Sequence, residues 1–250
     1  MSVSVPASPG RLDIGKVLAE GLNVVARNFG PFFLLALLLE GIPSALLTYA
    51  QLMYRLNPVF AVFGIIGFLA CLVTIPMMQA ALVFGSMSNL EGRPASVTDC
   101  LAAAQKHWLR LLGLDFLVGL GVVIGMILLI VPGVLVALRW SVSVPALVLE
   151  GRGIQESMGR SAALTQNRRW SIFLIGLIFL GAMIVLQMAL TIVGLPFGSL
   201  RDHSLFAVVT TPLVNTCTSV VAYPVVAALF RELRGDKEGG SPEVLNEVFA

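Results

Sequence analysis

Three uninterrupted stretches of this chain, 58–85, 171–195 and 205–230, contain no charged residue. Each is longer than the about 20 apolar residues that cross a ~30 Å hydrocarbon layer at 1.5 Å per residue. Nothing else constrains the fold as strongly, because in lipid a segment must satisfy its own backbone polar groups, and a helix does so. Segments 29–50, 111–131 and 133–149 come close to the same pattern. The last is short and carries Arg139, but "VPG" at 131–133 reads as a tight turn before it, and Glu150 with Arg152 closes it. The predicted fold is therefore all-α, a polytopic membrane protein with six transmembrane helices. Composition agrees, since 57% hydrophobic and 12% charged residues depart far from the about 45–50% and about 25% of ordinary globular proteins.

Orientation follows from the basic residues. Alternate connections place thirteen of them on one side, from Arg11, Lys16 and Arg27 through Arg93, Lys106, Arg110, Arg152, Arg160, Arg168 and Arg169 to Arg231, Arg234 and Lys237, against Arg55 and Arg201 on the other. Under the positive-inside rule both termini are cytoplasmic. The N-terminal "MSVSVPASPGRLDIGK" has no apolar core and is not read as a secretory signal.

The segments before the first, third and fifth spans resemble one another: "DIGKVLAEGLNVVAR", "SVTDCLAAAQKHWLR" and "GIQESMGRSAALTQN". Each opens on an acceptable N-cap (Asp13, Ser96, Gly153) and places apolar or small residues on one helical face, with Gly21, Ala104 and Ser161 at equivalent positions. Each returning span holds a proline, Pro76, Pro145 or Pro224, expected to kink it. The reading is three parallel repeats of an amphipathic helix plus a transmembrane hairpin, at about 11–90, 91–150 and 151–234, with the amphipathic helices forming a cytoplasmic collar. Together, residues 1–234 form the membrane domain. Residues 235–250 form a Gly-rich flexible tail ending in a short helix capped by Ser241.

Three charges fall within the spans. Glu40 lies eleven residues past Phe29, and Arg139 eleven before Glu150, so both sit ~16 Å from the cytoplasmic boundary at 1.5 Å per residue. A mid-membrane charge costs roughly 2.5–3.5 kcal/mol on insertion scales and seeks a partner or a polar cavity. An ion pair between Glu40 and Arg139 is expected, either as a register lock or as part of a polar site where Arg139 binds a carboxylate or phosphate. Asp115, ~6 Å inside its span by helical rise, ranks below them.

No sequence motif carries catalytic chemistry. Metal-ligand spacing, a phosphate-binding glycine loop and a nucleophile elbow are all missing from the sequence, so no cofactor or metal is expected. Cys100 and His107 could share a helical face as nucleophile and base, but no third group orients them, and a helix-surface histidine beside Trp108 is the preferred reading. The other histidine is His203. Three scattered cysteines, Cys71, Cys100 and Cys217, suggest no disulfide framework. A net charge of +2 gives no reason to expect nucleic acid.

Residues 132–170, "PGVLVALRWSVSVPALVLEGRGIQESMGRSAALTQNRRW", resemble the membrane-domain family of glycerophosphoryl diester phosphodiesterases and its YciC-like bacterial relatives. The resemblance rests on Pro132, Gly133, Arg139, Trp140, Pro145, Glu150, Arg160, Ser161, Leu164, Thr165 and Trp170. It implies a membrane module without the family's soluble catalytic domain. The resulting expectation is a non-enzymatic protein of the bacterial inner membrane that binds or handles lipids or anionic amphiphiles. The alternatives are a scaffold that binds a protein partner through its cytoplasmic helices and tail, and a small-solute transporter.

Overall fold

The structure is a computed structural model that describes residues 12–54, 57–93, 95–194 and 205–238. Arg11, Arg55, Arg201, His203 and the tail helix from Ser241 lie outside the described residues. In chain order, α1 (Ile14–Ala36) runs through a π-helical turn, Leu37–Gly41, into α2 (Ile42–Tyr54). There follow α3 (Phe60–Leu90), α4 (Val97–Leu128), α5 (Ile130–Arg139), α6 (Ser143–Glu150), α7 (Ile154–Thr165), α8 (Arg169–Gly194) and α9 (Leu205–Glu238). Six helices or helix runs are long and apolar enough to cross a membrane, with α1 and α2 sharing one and α5 and α6 sharing another. α9 continues through Glu238, so the first residues of the polar C-terminal stretch are helical.

The three N-caps form as read. The Lys16 amide donates to Asp13 Oδ1 at 3.1 Å, Ser96 and Asp99 make a reciprocal capping box, and the Gly153 amide donates to Glu156 Oε2 at 3.2 Å. These contacts satisfy amides that the first turn of a helix leaves without partners. Beyond their caps the three helices diverge. α1 kinks at Asn28 (φ −123°, ψ 21°) ahead of Pro31, α4 continues unbroken into its span, and only α7 is a separate short helix.

The small residues at equivalent positions meet different neighbours. Gly21 lies against α9, where a Cβ would stand 2.8 Å from Val225 Cα. Ala104 and Ser161 are fully buried, Ala104 in a cluster with Ala80, Leu111 and Leu147. α1 packs on α9, whereas the start of α4 and α7 share one buried cluster through Leu101, Ala104, Ile154 and Met158.

The α4–α5 hairpin turns at one extended residue, Leu129 (φ −169°, ψ 150°), and not at "VPG". Pro132 falls in the first turn of α5, where its missing N–H costs no helical bond. Gly133 packs on α4 so closely that a Cβ would meet the Met126 amide nitrogen at 2.8 Å, and Gly125 is equally close to Gly133. Pro145 likewise occupies the first turn of α6 and kinks nothing, because the helix has already broken at residues 140–142. Pro76 and Pro224 do lie inside α3 and α9.

Buried apolar residues cluster where α1, α3, α6 and α9 meet: Val17, Met87, Ala146, Phe230 and Leu233 on one side, and Val24, Phe32, Met78, Leu82 and Val220 on the other. α8 stands at the margin. It buries Ile172 and Ile175 but exposes Leu177, Ile178, Val185 and Met188, as a lipid-facing helix does.

Candidate functional site

Three polar constellations are built on this frame. The first repairs the broken α5–α6 span. Between Arg139 and Ser143 the helical ladder stops, and in an apolar setting each freed backbone group needs a partner. The Arg139 carbonyl and the Val142 amide find theirs in hydroxyl groups of α7, while Leu138 O and Trp140 O keep backbone bonds and gain hydroxyl ones. Ser141 Oγ donates to Leu138 O at 2.9 Å and Ser143 Oγ to Trp140 O at 2.7 Å. From α7, Ser161 Oγ donates to Arg139 O at 2.9 Å while accepting from the Val142 amide at 3.2 Å, and Thr165 Oγ1 also reaches Arg139 O at 3.2 Å. Ser161 and Thr165 are fully buried.

Ion pairs fasten α7 in place. Arg160 straddles Glu150, with Nη2 to Oε1 at 3.0 Å and Nε to both carboxylate oxygens at 3.1 and 3.2 Å, and it also pairs with Glu238 of α9. Burial opposes the Arg160 charge, but the hydrogen bonds and charges of Glu238 and Glu150 outweigh it and hold the guanidinium above its ordinary pKa. Arg168 pairs with Asp236, and Lys237 donates to Ala163 O. The motif residues Arg160, Ser161 and Thr165 thus anchor α7 to a broken helix. Of the others, Trp140 lays its ring over Gly121, Pro145 is buried, and Trp170 is 80% exposed in an edge contact with Phe173.

The expected ion pair between Glu40 and Arg139 does not form: among the described residues no salt bridge joins them, and Arg139 is exposed. Counting equal rises from each boundary assumed straight helices. The π turn at residues 37–41 and the break at residues 140–142 change the facing of both residues. What Arg139 contributes to the bundle is its carbonyl, not its guanidinium.

Glu40 and Asp115 instead enter a second constellation, inside the bundle. The π turn carries Glu40 against α9, with Ser219 beside its carboxylate. Beside it, a Cβ on Gly41 would stand 3.0 Å from Thr216 Oγ1. Gln79 of α3 lies beside both Asp115 of α4 and Tyr223 of α9, and Tyr223 lies within electrostatic reach of both carboxylates. Thr216, Ser219 and Tyr223 share one face of α9 by their spacing. Sequence reasoning passed over Gln79, Thr216, Ser219 and Tyr223, since charge alone was sought in the spans. Spacing along α9 was the available signal.

The third constellation is a cleft of about 200 Å³ at the charged end of the bundle, lined by Glu20, Asn23, Val24, Arg27, Asn89, Leu90 and Arg231. Arg231 is built in, donating to Leu90 O at 2.7 Å and to Glu20 Oε1 at 2.9 Å. Asn28 fixes Asn89 through a 2.9 Å bond to its Oδ1. Arg27 is exposed and enters no salt bridge among the described residues.

Cys100, 2% exposed and packed on Gly85, is shut away from any substrate, and no group of three or more His, Cys, Asp or Glu side chains could hold a metal among the described residues.

No curated protein and no solved structure matches the chain. One family does match, over a region that contains α5 to α7 with their hydroxyl contacts and the Arg160–Glu150 pair, Asp115 and Tyr223, but not Glu40, Asp236 or Glu238. That family is described by the membrane part of an enzyme and not by its catalytic part. Residues 115–229 match the membrane domain of glycerophosphoryl diester phosphodiesterase.

Proposed function

We propose that this chain is a non-enzymatic module of the bacterial inner membrane that binds amphiphiles with an anionic, phosphate-bearing headgroup, and that the headgroup sits in the cleft between α1, α3 and α9 at the cytoplasmic surface. The observation that carries the reading is the pair of guanidiniums there: Arg231 held rigidly by Glu20 and Leu90, and Arg27 exposed and unengaged by carboxylate among the described residues. Guanidinium groups suit phosphate oxygens because their donors match that geometry two at a time. Asn23 and Asn89 add amide groups to the same cleft. The matched family is named for an enzyme of glycerophosphodiesters, the phosphate-bearing cores of phospholipids, and this accords with such a ligand.

Native mass spectrometry in a lipid-retaining detergent tests the reading. Wild-type protein is expected to carry an anionic phospholipid that Arg27→Gln loses and Arg139→Gln keeps. Equal retention by the wild type and Arg27→Gln refutes the cleft as the headgroup site.

A further inference from the structure

We propose that the bundle interior between the π turn, α3, α4 and α9 is a binding site for a small monovalent cation, with sodium as its defining probe. The site is independent of the headgroup cleft. Two carboxylates, Glu40 and Asp115, stand within the bundle, and among the described residues neither enters a salt bridge with a lysine or arginine. The neighbouring oxygens are also short of partners. Glu40 Oε2, Thr216 Oγ1, Gln79 Oε1 and Thr74 Oγ1 are all buried without a hydrogen bond. Thr216 is fully buried and Gln79 is 8% exposed, so water does not readily serve them.

Buried polar oxygens are ordinarily paired, and several left open in one region call for an explanation. Here, carboxylate, hydroxyl and amide oxygens are the ligands a hard cation takes. A cation would also neutralise charge that the apolar interior tolerates poorly. The backbone fits the role. The π turn brings Glu40 beside Ser219 and its neighbour Gly41 against Thr216, with no side chain at Gly41 to fill the space between them. Such single-turn π insertions recur at functional sites. Glu40 Oε2 and Thr216 Oγ1 are the central ligands. The Gln79, Asp115 and Tyr223 group closes the site on the side of α3 and α4.

The experiment is thermal unfolding of the purified full chain in mild detergent, with sodium chloride replaced stepwise by choline chloride at constant ionic strength. The wild-type midpoint is expected to rise by several degrees as sodium increases from ~1 to ~100 mM, since a ligand that binds only the folded state stabilises it by mass action. Glu40→Gln should abolish that dependence and Thr216→Val should weaken it. Where Glu40→Gln does not fold, the weaker sodium response of Thr216→Val carries the test. A wild-type midpoint indifferent to sodium overturns the proposal, including the case in which pH alone moves it. So does a sodium response unchanged in both variants.

Discussion

Replacing Ser161 by alanine isolates the contact that lets a broken helix persist in this bundle. The serine hydroxyl accepts from the Val142 amide and donates to Arg139 O, and the residue is fully buried. Alanine leaves the amide without a partner, a loss of about 1–3 kcal/mol. Thr165→Val should cost less, about 0.5–1.5 kcal/mol, because Arg139 O keeps its bond from Ser161. The double variant removes both donors to that carbonyl, so its cost should exceed the sum of the singles by about 1 kcal/mol. Equilibrium unfolding in mixed detergent micelles, followed by tryptophan fluorescence, measures all four corners of the cycle. Trp140 lies at the break, and in a background with Trp108 and Trp170 replaced by phenylalanine it reports the opening there. A Ser161→Ala protein within about 0.3 kcal/mol of wild type, or strict additivity in the double variant, would refute the reasoning, since either means the freed backbone groups find other partners.

Arg160→Gln should destabilise the fold by about 3 kcal/mol, the cost typical of stranding one member of a largely buried pair, with Glu150→Gln in the same background restoring part of it; the same unfolding assay reads both. Gly133→Ala pushes a methyl group against the Met126 backbone and should cost about 1–3 kcal/mol, whereas alanine at Gly119, which has open space around it, should change little. Arg139→Gln should shift stability by less than about 0.5 kcal/mol, because only the backbone carbonyl of that residue is engaged. A loss of several kcal/mol there would restore the ion pair with Glu40 as the governing contact.

The membrane fold was legible because one physical demand, crossing hydrocarbon, imposes a length and polarity that a single sequence displays. The N-caps at Asp13, Ser96 and Gly153 were legible for a similar reason: capping is local, and its donors and acceptors lie within four residues. The partners of Glu40 were not. Their identity depends on a π turn and on which face of α9 meets it, and no local pattern encodes either. Arg139 misled because a charge in an apolar run is the most visible feature of its neighbourhood, while the hydroxyls of Ser161 and Thr165 look unremarkable until a break in α5–α6 needs them. The cleft lay further out of reach, since it joins Glu20 to Arg231 across almost the whole chain.

The break in the fourth span also sets an order of events during synthesis. The groups that complete it are made later than the groups they complete, with Ser161 following Val142 by 19 residues and Thr165 following Arg139 by 26. At the ~5–20 residues per second of a translating ribosome, the α4–α5 hairpin waits on the order of one to five seconds for its missing donors. During that interval the Val142 amide and the Arg139 carbonyl lack the α7 hydroxyls that bond them in the folded chain. The insertion machinery or water must therefore shelter residues 139–142 until α7 leaves the ribosome, and a variant with a longer α6–α7 connection would prolong that exposure.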